Sequence, residues 1–173
     1  MPAIAFPKDF RFHALSLGVA LIAAVATFGT SNAMLLPPAM FLGWVAFSLG
    51  PPSMRAGFGN LVSFETGLIL GVGTAIATRL LAPSLGSLAS PAAVGGVVVL
   101  VLSLRTASAF NNPLAYFLGL TSFFYSGLAP SGSALAVLGA AGAIGGLSSA
   151  AALLMEDRIH RIGGAARAVP LPN

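Results

Sequence analysis

The sequence predicts an all-α fold: a polytopic membrane helix bundle with about six short transmembrane helices. Three observations predict it. Of the 173 residues, 57% are hydrophobic and 7% charged, whereas a soluble domain carries about 25% charged residues. So few charges could not cover a water-facing surface, and in a bilayer the lipid-facing positions need none. The apolar residues also fall into successive stretches, parted by turns rich in Gly, Pro and Ser. Finally, the basic residues Lys8, Arg11, Arg55, Arg79, Arg105, Arg158, Arg161 and Arg167 lie mostly between those stretches, as anchors of membrane helices do.

Residues 1–12 are polar and mixed and read as a cytoplasmic N-terminal segment. The first apolar stretch, Ala14 to Gly29, followed by Ser31-Asn32-Ala33, has the outline of a signal peptide. More apolar stretches follow instead of a secreted domain, so it is read as the first helix of a transmembrane domain over residues 13–155. The second stretch, Leu35 to Leu49, is expected to become helical at Pro37-Pro38, because proline is tolerated in a first turn. It is short for a span of about 20 residues. Gly50 to Arg55 reads as a turn, and the third helix covers Phe58 to Leu81. Ala82 to Ser87 reads as a loop, and Pro91 to Leu104 as the fourth helix, closed by Arg105.

Asn111-Asn112-Pro113 opens the fifth helix, which is expected to end near Leu128. An asparagine can cap the free N–H groups, and proline suits the first helical position. After the turn Ala129 to Gly132, the sixth stretch runs from Ser133 to Met155. Residues 156–173 read as a cytoplasmic tail with a mobile Pro-rich tip. Six spans would put both termini and most of the positive charge on one side, the cytoplasmic face of a bacterial inner membrane, with Arg79 on the other. Five spans with a re-entrant segment would divide that charge.

Composition excludes several functions. There are no cysteines, which removes disulfides, thiolate catalysis and cysteine-bound metals. His13 and His160 lie far apart, so no metal cage or other cofactor site is expected. The scattered basic residues do not make a nucleic-acid footprint. Gly71-x-Gly73 has no strand-turn-helix context and is no nucleotide fingerprint. No nucleophile–base pair is in register, so no enzyme is expected.

The polar residues inside the stretches are the candidates for a substrate path. Glu65 is the acidic residue within a span. It is either a proton or cation site or a ligand for a polar solute, or else one half of an interfacial ion pair with Arg55 or Arg105. Asn111 and Asn112 stand at a helix N-terminus, which can bind polar solutes or simply be capped. Thr121 and Tyr125 lie one turn apart on one face, and Tyr116 lies near Gly119. They could line a narrow path or serve as interhelical hydrogen bonds and aromatic belt. Gly67 with Gly71, and Gly142 with Gly146, are small-xxx-small pairs suited to close helix packing in lipid.

Gly43-Trp44-Val45-Ala46-Phe47-Ser48-Leu49-Gly50, followed by Ala56-Gly57-Phe58, resembles the opening motif of a small bacterial inner-membrane family, domain-of-unknown-function family one-thousand-and-ninety-seven. The run Pro113 to Phe124 is similar to that family's second segment. The resemblance covers about residues 35 to 155. The chain departs from the family in an extra apolar stretch ahead of the tryptophan motif, and in Glu65 where a glycine-rich break is expected. The family has no assigned activity, so the resemblance implies location and architecture. More locally, Phe110-Asn111-Asn112-Pro113-Leu114 is similar to a segment of urea-transporter repeats and suggests a channel-like use of that helix entrance.

Together these features point to a transporter or channel-like protein for a small neutral or weakly polar solute, acting in the lipid bilayer as a homo-oligomer. The alternative is a membrane scaffold or accessory subunit.

Overall fold

The computed structural model describes residues 10–104, 106 and 111–167. They form six α-helices: α1 (Phe10–Asn32), α2 (Pro37–Phe47), α3 (Met54–Leu85), α4 (Ala89–Leu104), α5 (Pro113–Ser126) and α6 (Gly132–Arg167). A single 3-10 turn, Gly86–Leu88, joins α3 to α4, and there is no strand among the described residues. Three apolar helical runs are long enough to cross a membrane: Phe12–Asn32, Met54–Leu104 and Gly132–Ile159.

The apolar solvent explains how the hydroxyl groups behave. Thr27, Thr30, Ser63, Thr66, Thr74, Thr78, Ser103 and Ser148 each donate to the carbonyl one turn earlier. A helix in lipid must satisfy its polar groups internally, and this is the cheapest way.

The helices start and stop as local chemistry directs. Ser53 caps α3 by accepting from the Ala56 N–H, and Asn112 caps α5 by accepting from Leu114. Both α2 and α5 begin on proline, whose missing N–H costs nothing there. Gly127, at φ +67°, ends α5 in the left-handed region where glycine is favoured.

Three expectations need correction. The loop expected over Ala82–Ser87 is mostly helix, because α3 continues through Pro83 to Leu85. Pro83 removes one hydrogen bond in the exposed last turn of α3 without ending it, and the break comes at Gly86, with φ +54°. The polar tail after Glu156 is helical to Arg167, and its tip lies outside the described residues. Nor are the helices uniformly short: α3 has 32 residues and α6 has 36, whereas α2 has 11. The end of α5 at Ser126, capped by Gly127, falls near Leu128 as expected.

The packing is that of two related halves. The residues of α2 read Pro37-x-Ala39-x-Phe41-Leu42-Gly43-x-x-x-Phe47, and α5 repeats them as Pro113-x-Ala115-x-Phe117-Leu118-Gly119-x-x-x-Phe123. The buried positions of α2 (Ala39, Met40, Gly43, Ala46 and Phe47) match Ala115, Tyr116, Gly119, Ser122 and Phe123, all buried in α5. Their partners match as well. Gly145 on α6 faces the Met40 carbonyl, and Gly67 on α3 faces the Tyr116 carbonyl. Thus α2 packs on α6 as α5 packs on α3.

Direction follows from the same contacts. Asn112 meets Asn60 and Phe123 meets Gly71, so α5 runs parallel to α3. By the same reasoning α2 is parallel to α6, with Met40 on Gly145 and Ser48 on Ser149. The turn after Phe47 reverses the chain into α3, so the two short helices are antiparallel to each other, as are α3 and α6. The halves are therefore related by an approximate two-fold axis perpendicular to the helices. Matching Gly67 to Gly145 carries the Phe64–Gly142 contact onto itself, and the axis passes there.

Candidate functional site

The centre of the molecule is the crossing of α3 and α6. Phe64 is fully buried and lies over Gly142, while Leu61 lies over Gly146. Glycines let the two backbones approach, which in lipid is the main source of helix association. The next residue along α3 is Glu65. Its carboxylate lies against Gly139, where a methyl group would come within 2.8 Å of Oε2. Oε1 is buried and has no hydrogen-bond partner. The pairing with Arg55 is not formed, and no ion pair occurs among the described residues; three helical turns separate the two along α3. Arg105, the other expected partner, lies outside the described residues.

A second polar group stands at the entrance of α5. Asn60 donates from Nδ2 to the Leu49 carbonyl at 2.6 Å, and its Oδ1 accepts from Asn112 Nδ2 at 3.2 Å. Three segments are tied there: the end of α2, the start of α3 and the start of α5. The corresponding position ahead of α2 is Leu36, which makes no side-chain cap. The two halves thus differ in polarity at equivalent points.

A cleft of ≈ 260 Å³ opens between α1, α2 and α6 beside the α2–α3 turn, with Trp44, Ser48, Ser149 and Glu156 among its lining residues. Ser48 and Ser149 share a hydrogen bond of 2.8 Å across α2 and α6.

The structure does not gather the expected path residues. Asn111 is exposed, and Asn112 is engaged as cap and bridge. Tyr116 is buried with Val101 and Leu120 on the α4 side of α5. Thr121 is exposed, and Tyr125 is 79% exposed, so their shared face points outward. Glu65 instead faces α6. The four glycines Gly67, Gly71, Gly142 and Gly146 each sit under a neighbour: the Tyr116 carbonyl, Phe123, Phe64 and Leu61. Sequence reasoning missed Asn60, Ser48 and Ser149. An amide inside an apolar stretch is a usable signal for the first; two lone serines carry none until their helices are paired.

Fold and composition together define an α-helical membrane protein. The chain belongs to the family described as protein of unknown function (DUF1097), which it matches over residues 16–153, so the apolar stretch ahead of the tryptophan motif is part of the family match and not an extra one. No curated protein and no solved structure matches it, so the local likeness to urea-transporter repeats stands on its few residues alone.

Proposed function

We propose that this protein is a small transporter or channel-like protein for a small neutral or weakly polar solute. The observation that carries the proposal is the pair of antiparallel short helices, α2 and α5, held in two inversely related halves. Inverted halves with short or broken helices near their interface are a recurrent plan in secondary transporters, with the binding site near mid-depth at the repeat interface. An α2 of 11 residues is about 16 Å long, half of the hydrocarbon thickness. Lengthened by their connecting segments, α2 and α5 would complete six crossings with both termini on one side. Arg55 and Arg158 then share that side and Arg79 faces the other, which favours a cytoplasmic location of both ends in a bacterial inner membrane. A homo-oligomer suits a chain of this size.

Reconstitution tests the reading. Vesicles containing the protein should swell faster than protein-free vesicles in at least one gradient of a small neutral solute. Equal rates across a panel of such solutes would refute it. The rival reading, an accessory subunit or scaffold, draws on the packed centre, where Phe64, Met40, Leu68 and Leu138 are fully buried. It expects a chain that is stable only with a different membrane partner.

A further inference from the structure

Of the acidic side chains described (Glu65, Glu156 and Asp157), only Glu65 lies away from the ends of the bundle. It stands one residue from the two-fold axis, with Oε2 on Gly139 and Oε1 shielded and unpartnered. A half-buried carboxylate in an apolar setting, with one oxygen shielded and no counter-charge, is unfavourable, so a positive partner is favoured there. A metal ion does not fit. Hard cations take about six oxygen ligands, and no group of three His, Cys, Asp or Glu side chains that could hold a metal ion exists among the described residues. The neighbouring hydroxyls of Ser63 and Thr66 are turned back onto the Gly59 and Val62 carbonyls of their own helix. A proton needs a single oxygen, and Oε1 is free to take it.

We propose that Glu65 is an exchangeable proton-binding site at the crossing of α3 and α6. Its meaning as a coupling site rests on the transport reading; its existence does not. The proton comes from water and returns to it, with no other bond made or broken. No other titratable group among the described residues faces the carboxyl. Neither α2 nor α4 carries a titratable side chain. On α6, Glu156, Asp157 and Arg158 lie several turns from Gly139. On α5, Tyr116 packs toward α4 and Tyr125 points outward. On α3 itself, Arg55 and Arg79 are each more than two turns away, and on α1 His13 lies near the far N-terminal end.

Infrared difference spectroscopy of the protein in lipid reads the site directly. The chain has only four acidic side chains, so replacing Asp9, Glu156 and Asp157 by their amides leaves Glu65 as the sole side-chain carboxyl. Glu156 and Asp157 lie outside the packed crossing, and the melting temperature of the triple variant checks that it folds. A carboxylic-acid C=O band is expected in mildly acidic buffer. It should be lost as the pH is raised, with carboxylate bands appearing, and subtracting the spectrum of the same chain with Glu65→Gln, which keeps only the α-carboxyl, should leave both. A Glu65 difference signal that is carboxylate at every pH, or an acid band that never changes, would overturn the proposal. Because no solute is involved, vesicles that fail to swell would count against the transport reading and leave this one standing.

Discussion

The carboxylate of Glu65 on α3 ends against the α-carbon of Gly139 on α6, so close that a methyl group there would stand 2.8 Å from Oε2. This contact joins the two halves beside their symmetry axis, where a side chain on α6 would compete for the space that the carboxylate occupies. Replacing Gly139 by alanine should therefore cost about 1 kcal/mol of stability, because the flexible Glu65 can swing aside only in part. Adding Glu65→Ala should return much of the loss. A double-mutant cycle on thermal unfolding in detergent should give a coupling of about 0.5–1 kcal/mol, whereas strict additivity would mean that the two do not touch.

The repeat makes a paired prediction about glycines. Gly119→Ala would drive a methyl into the Phe64 carbonyl, and Gly145→Ala into the Met40 carbonyl. Backbone cannot yield as a side chain does, so each should cost at least about 1–3 kcal/mol. At Gly73 and Gly95 an added methyl would meet nothing within 4 Å. Alanine at either should be neutral or stabilising by up to about 1 kcal/mol, through helix propensity alone. Melting temperatures of the four variants decide the matter; equal behaviour of all four would contradict the packing described.

The asparagine bridge can be taken apart in two stages. Asn112→Ala removes both the cap on Leu114 and the donor to Asn60, and should cost about 1–2 kcal/mol. Asn112→Asp keeps an acceptor for the cap but loses the donor. Its melting temperature should fall between those of wild type and the alanine variant. An aspartate variant no better than alanine would show that the bridge, rather than the cap, holds α5 in place.

Much of the fold is legible in the sequence because apolar runs and their punctuation report directly on helices in lipid. The start of α2 at Pro37 and of α5 at Pro113 follows from proline chemistry, and the Asn112 cap from its side chain. Pro83 misleads, since it falls in the last turn of α3, where the loss of one hydrogen bond does not end the helix before Leu85. The polar stretch after Glu156 likewise continues as helix, although it leaves the apolar pattern and carries Gly163 and Gly164, which favour helix poorly. The repeat is written in the sequence, yet hydropathy treats each stretch singly and cannot reveal it. It emerges when α2 is laid on α5. The site is less legible still. Glu65 stands out by charge alone, but its neighbour Gly139 lies on a distant helix, and the outward face of Thr121 and Tyr125 is set by how α5 docks on α3.

The central claim is the inverse relation of the two halves, and labelling tests it most directly. The natural chain has no cysteine, so single cysteines can be introduced at Ser53, Ser87, Asn111 and Ser131 and probed from each side of sealed vesicles with a membrane-impermeant maleimide. Ser53→Cys and Asn111→Cys should react from one side, and Ser87→Cys and Ser131→Cys from the other. Reaction of positions 53 and 131 from the same side would contradict the account.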